Sequence, residues 1–335
     1  MFLGFLPTKR KAWLLEYTPL PLALITPNLQ SNQHKEWAAE LLYEAVSQDY
    51  LTAAKRLLLA GAGANTHPRF SNWPQLLWAS QQGSVDMARL LLDHGADVSA
   101  VEPAGNFPLY LASINGHSGV VNLLLERGAD LQQRSEHYGA CLDAASRFGC
   151  VEVVRVLIEH GGDLLSSVRS GLTPLETAAR YGQANCVRAM LEMGSEAAGE
   201  RDGYTEGVRT TRLCLAVGGM RILKAYPWDN GGPEYIARDT KCSWADGEKE
   251  RHAEILRMLL ERGADMESKV AGFTPLHIAA IIDNCPALEA LIEKGADIHA
   301  LSPRGRSALE FASLGGHAEI VEALERASKL QFTHQ

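Results

Sequence analysis

Thr274-Pro275-Leu276-His277-Ile278-Ala279-Ala280, followed by a second apolar run that ends at Gly295-Ala296-Asp297, decides the fold of this chain. Proline at the first position of a helix loses nothing by lacking an N–H, and its φ is already helical. Thr274 stands where a side-chain oxygen can cap that helix, and the paired alanines let a neighbouring helix come close. The closing glycine supplies the left-handed conformation that ends the second helix. The stretch therefore reads as helix, turn, helix, polar turn.

The same unit returns along the chain. Its closing triplet reappears as Gly95-Ala96-Asp97, Gly128-Ala129-Asp130, Gly161-Gly162-Asp163, Gly194-Ser195-Glu196 and Gly263-Ala264-Asp265, with glycines spaced 33, 33, 33, 69 and 32 residues apart. Its opening motif is legible in Thr173-Pro174-Leu175-Glu176-Thr177-Ala178-Ala179, and weaker copies begin near Phe107, Ala140, Thr211 and Ser307. Between them lie apolar residues at helical spacing, such as Val153, Val154, Val156, Leu157 and Ile158. Two short helices cannot bury enough apolar area to offset their ordering entropy, so each unit needs neighbours and the end units need polar outer faces. Glu319, Glu322, Glu325, Arg326 and Lys329 supply such a face at the C-terminal end.

These motifs resemble the ankyrin repeat family. The resemblance covers residues 70–326, with a degenerate leading copy at 37–65, and implies an all-α solenoid of stacked helix-turn-helix units with projecting turns. The expected organisation is an N-terminal arm at 1–36, a solenoid of about 7–8 repeats at 37–329, and a short tail at 330–335. One irregularity interrupts it. Thr211–Val217 reads as a first helix and His252–Leu260 as a second, leaving 218–250 as an insertion between them or as a decayed repeat. Its Pro, Gly, Asn and Asp favour the insertion. Tyr226, Trp228, Tyr235 and Trp244 in this segment are of types enriched at binding hot spots, but the length of the segment favours an unstructured loop or aromatics folded back on the solenoid.

Composition narrows the function. A formal net charge of −8 opposes binding driven by phosphate counterion release, so no direct nucleic-acid contact is expected. Six cysteines without a C-x-x-C pair suit reduced thiols and an intracellular protein, cytoplasmic or nuclear. No run approaches the ~18 apolar residues of a membrane span. Lys9, Arg10 and Lys11 precede an apolar stretch in the order of a secretory signal, but Glu16, Pro19 and Pro21 interrupt it. A segment packed on the first repeat, or a disordered arm, fits better.

Nothing in the chain reads as an active site. The resemblance gives His277 a structural role in linking adjacent turns, and no nucleophile or relay acid stands at a catalytic spacing from it. The recurrent Asp97, Asp130, Asp163, Asp265 and Asp297 are turn residues. The cysteines lack metal-site spacing, and Gly218-Gly219 and Gly231-Gly232 lack the phosphate-loop frame. No catalytic residue, metal or cofactor is expected.

What the resemblance does imply is a groove along the first helices, where residues 33 apart occupy equivalent places. One row reads Gln81, Ile114, Arg147, Arg180, and the next Gln82, Asn115, Phe148, Tyr181. Ile114, Asn115, Arg147, Phe148, Arg180 and Tyr181 are the candidate partner-binding residues, and their arginines and aromatics suit an acidic or mixed peptide segment. The competing reading pairs Arg147 with Asp143 and Arg180 with Glu176 along their own helices and stacks Phe148 on Tyr181. The expected function is a non-enzymatic scaffold or adaptor for other proteins. Alternatives are a nuclear coregulator acting through a DNA-binding partner, and a regulatory or targeting subunit of an enzyme complex.

Overall fold

The computed structural model describes residues 7–17, 32–67, 73–135, 139–165, 172–197, 216–218, 244–270 and 272–333. They fall into two compact units, Met1–Ala145 with Cys150–Gly162, and Ser146–Gly149 with Asp163–Gln335. Apart from one two-residue hairpin, regular structure among the described residues is helical.

The first unit opens with α1 (Thr8–Tyr17), which packs on α2 (Asn32–Ser47) and α3 (Leu51–Leu59). Ala12 and Leu15 are fully buried there. Charge at the helix ends fixes the docking: Glu16 Oε2 accepts the Ala53 N–H at 2.8 Å, and Arg56 Nη1 donates to the Leu15 carbonyl oxygen at 2.7 Å. A carboxylate at the N-terminal turn of α3 and a guanidinium at the C-terminal end of α1 each meet the favourable pole of a helix dipole. Residues 8–17 of the expected arm are thus a packed helix, and α2 begins at Asn32, earlier than the sequence pattern places the first repeat.

Three further helical hairpins begin in this unit. They are α4 (Gln75–Gln82) with α5 (Val85–Asp93), α6 (Pro108–Ile114) with α7 (Ser118–Glu126), and α8 (Cys141–Phe148) with α9 (Val151–Glu159). First helices pack on first helices, α2 on α4 and α4 on α6, while α3, α5, α7 and α9 form the second row. Met87, Leu91, Val121, Leu124, Val154 and Leu157 are buried between those second helices. At roughly 1.5–3 kcal/mol for each such side chain, this shared interior holds the hairpins together. A two-residue antiparallel ribbon, β1 (Arg134–Ser135) with β2 (Gly139–Ala140), closes the turn before α8.

The second unit contains α10 (Pro174–Arg180) and α11 (Ala184–Ala197), α12 (Glu248–Glu261), α13 (Pro275–Ile281) with α14 (Cys285–Glu293), and α15 (Ala308–Gly315) with α16 (Ala318–Thr333). α12 packs on α11 and on α14, and α13 packs on α15. Thr173, Thr274 and Ser307 each close a capping box with Glu176, His277 and Glu310 respectively. Glu248, Lys249 and Glu250, assigned from sequence to the irregular segment, form the first turn of α12, and α16 runs on to Thr333. Residues 219–243, with Tyr226, Trp228 and Tyr235, lie outside the described residues.

Candidate functional site

The first helices end in a repeated arrangement that places the candidate residues. After each comes a glycine or its substitute, then a residue whose side chain reaches back 36 residues to a carbonyl oxygen at the end of the preceding first helix. His117 Nε2 contacts the Gln81 oxygen at 2.9 Å, Cys150 Sγ the Ile114 oxygen at 3.8 Å, Gln183 Nε2 the Arg147 oxygen at 3.1 Å, and His317 Nε2 the Ile281 oxygen at 3.3 Å. These carbonyls belong to the helix-end groups that α-helical pairing leaves free, so each strut satisfies one and couples two repeats. Gly83 shows why the turn needs glycine. Its φ is +79°, and a Cβ there would stand 2.4 Å from the His117 ring.

Among the candidate residues, Ile114 and Arg147 have their carbonyl oxygens tied into these struts. In the first unit, Ile114 is half-buried, and Asn115 is exposed with its Nδ2 donating to the Leu111 carbonyl oxygen at 2.8 Å. In the second unit, Arg147, Phe148, Arg180 and Tyr181 come together. The Arg147 guanidinium lies 5.6 Å from the centre of the Phe148 ring and 5.0 Å from that of Tyr181, and the Arg180 guanidinium lies 5.5 Å from Tyr181. Phe148 is 55% exposed and Tyr181 37%.

The intrahelical pairing of these arginines does not form. Glu176 turns its carboxylate to the Thr173 N–H at 2.9 Å, because the cap rewards it more than an exposed ion pair would. Asp143 is buried whereas Arg147 is exposed. What connects Phe148 to Tyr181 is the Arg147 guanidinium between them.

The remaining polar chemistry is structural. His277 Nδ1 takes the Thr274 hydroxyl at 2.7 Å, which leaves Nε2–H to donate to the Arg306 carbonyl oxygen at 3.2 Å and so link two successive turns. Burial lowers the pKa of this imidazole and keeps it neutral. Burial raises the Cys141 thiol to about 12, and it also raises Cys150 and Cys285, so these thiols stay protonated at neutral pH. Among the described residues no group of three His, Cys, Asp or Glu is placed to hold a metal, and no helix is long and apolar enough to cross a membrane.

Sequence reading passed over the strut function of Cys150 and Gln183, although their place after the turn glycine repeats at the same stride. It also missed a cluster at the edges of the irregular segment. Trp244 Nε1 donates to the Ile282 carbonyl oxygen at 2.9 Å, its ring meets His252 edge-on, and His252 Nδ1 contacts the Ala216 oxygen at 2.9 Å. Asn284 Nδ2 donates to the Val217 carbonyl oxygen at 2.9 Å, and Lys249 pairs with Asp283 at 2.9 Å. Only the enrichment of aromatics in 218–250 pointed there.

A family model described as "Ankyrin repeats (3 copies)" matches residues 42–135, 139–200 and 247–332. The chain belongs to the ankyrin repeat family. Ankyrin repeats are protein-interaction modules, and the capped hairpins and struts above are their architecture in this chain. A 78-residue stretch is 41% identical to "Ankyrin repeat protein nuc-2" of Neurospora crassa, a match that takes in 23% of this chain and 7% of that protein's length. The chain is also similar to the crystal structure of the human ASB11 ankyrin repeat domain, at 24% identity and a TM-score of 0.48, over 85% of this chain and 96% of that one.

Proposed function

We propose that this ankyrin repeat protein is a non-catalytic scaffold or adaptor that recognises a segment of another protein through the exposed ends of its first helices. The observation that carries this is the Arg147, Phe148, Arg180, Tyr181 cluster, which leaves two large rings exposed. Exposed aromatics and arginines held in one place are what interface hot spots are made of, since little side-chain freedom is lost on binding. Ile114 and Asn115 stand at the corresponding positions of α6 and are proposed as partner-binding residues of the first unit. A partner protein is the ligand, with no nucleic acid, cofactor or membrane span required, and an intracellular compartment, cytoplasmic or nuclear, suits its thiols.

The test is a variant with Arg147, Phe148, Arg180 and Tyr181 all changed to Ala. Its helical circular dichroism and thermal midpoint stay close to those of the parent, while capture of specific partners from native-cell extract, measured by quantitative mass spectrometry, falls at least tenfold. Unchanged capture overturns this surface.

The irregular segment is read as an insertion within one repeat. In support, α12 packs on both α11 and α14, so among the described residues one second helix lies between them. A decayed additional repeat would require a second.

A further inference from the structure

The geometry points to the recognition of an acidic segment of the partner, whose carboxylates are taken by the N–H edges of Arg147 and Arg180 while its backbone lies across Phe148 and Tyr181. This rests on the binding face proposed above and specifies what that face selects.

A guanidinium has two kinds of surface. Its planar face stacks on aromatic rings, and its edge carries five N–H donors in a fork that matches a carboxylate. In this cluster the guanidiniums lie over the rings, Arg147 over both Phe148 and Tyr181 and Arg180 over Tyr181. Among the described residues neither guanidinium has a carboxylate within ion-pair distance. The nearby acids are committed: Glu176 caps α10 and Asp143 is buried. Each arginine is therefore a cation with no carboxylate partner among the described residues.

Two further points favour an acidic over a neutral ligand. Both cations share the Tyr181 ring, so they repel each other, and a carboxylate bound between them relieves that repulsion. Holding both side chains against the rings also removes rotamer entropy before the ligand arrives, so bidentate bonds to carboxylate form at lower cost than at a mobile lysine. The struts hold the platform, since the Arg147 carbonyl oxygen is fixed by Gln183.

The probes are two fluorescein-labelled peptides of alternating Glu and Leu and alternating Gln and Leu, titrated by anisotropy against the full chain at low and physiological salt. The acidic peptide binds at least tenfold more tightly, and the advantage shrinks as salt rises. Arg147→Gln with Arg180→Gln removes it. Arg147→Lys with Arg180→Lys keeps the charge but loses severalfold, because lysine offers neither the stacked plane nor the fork. Equal binding of the two peptides, or full acidic-peptide binding by the double Gln variant, overturns the acidic anchor. The extract capture by the quadruple alanine variant is read separately: if it falls while the peptides bind alike, the face stands and only its charge selectivity fails.

Discussion

The uninterrupted turns and the interrupted one solve the same problem with different residues. At Asn115-Gly116-His117 and Tyr181-Gly182-Gln183 the chain passes from first to second helix in three residues, and the last of them reaches back to a carbonyl 36 positions earlier. At Gly218 that short passage is absent. There the Ala216, Val217 and Ile282 carbonyl oxygens are met by His252, Asn284 and Trp244 instead. A Cβ on Gly218 would stand 2.6 Å from the Trp244 ring. The comparison teaches that helix-end carbonyls are satisfied in both places by side chains of different types. Here an imidazole, an amide and an indole do so, the imidazole across the same 36 positions as the other struts.

The largest expected effect follows from removing that clasp. Trp244→Ala opens a cavity and orphans the Ile282 oxygen, costing about 2–4 kcal/mol. Amide exchange should accelerate at 216–218 and 252–261 while that of α4 to α7 stays unchanged. Uniform exchange throughout would mean that Trp244 is not the clasp.

A smaller effect separates two glycines with the same handedness. Gly95 and Gly218 have φ of +82° and +95°, but nothing lies within 4 Å of a Cβ on Gly95. Gly95→Ala therefore costs the backbone strain alone, about 1–2 kcal/mol, whereas Gly218→Ala adds a collision of similar size. Equal denaturant midpoints for the two variants would break the distinction.

Next comes acid sensitivity. His277 has a folded-state pKa below its usual value because burial disfavours the imidazolium, so the unfolded chain binds the proton more readily. Its contribution is complete above about pH 6.5 and is lost as pH falls below that toward the lowered folded value. Denaturant midpoints between pH 7.5 and 5 should drop for the parent, with the His277→Gln variant showing a shallower slope. Identical slopes would contradict the buried neutral link.

The smallest effect concerns the weakest strut. Cys150 Sγ lies 3.8 Å from the Ile114 oxygen, where His117 manages 2.9 Å in the same role. Cys150→His should gain about 0.5–1 kcal/mol, the net value of one hydrogen bond, seen as a higher thermal midpoint. A lower midpoint would show that the imidazole does not fit.

The repeat architecture was legible because its determinants are local and periodic. Thr173, Thr274 and Ser307 cap the helices that follow them, and the glycines fall at a fixed stride. The candidate surface was legible as a row but not as a constellation. Periodicity placed Arg147 beside Phe148 and Tyr181, yet whether Glu176 would pair with Arg180 or cap its own helix depended on geometry that sequence spacing leaves open. Trp244 was harder, because its partner Ile282 lies 38 residues away and follows no repeat relation. The docking of α1 depended likewise on Glu16 meeting Ala53 across 37 residues.

The central claim is that recognition occurs at the first-helix ends and not along the second helices. It is tested most directly by placing a photo-crosslinking amino acid at Tyr181 in one variant and at exposed Arg257 of α12 in another. Both are irradiated in extract from the native cell. Adducts with a discrete partner should form from position 181 and be absent from 257; adducts from 257 with none from 181 would contradict the account.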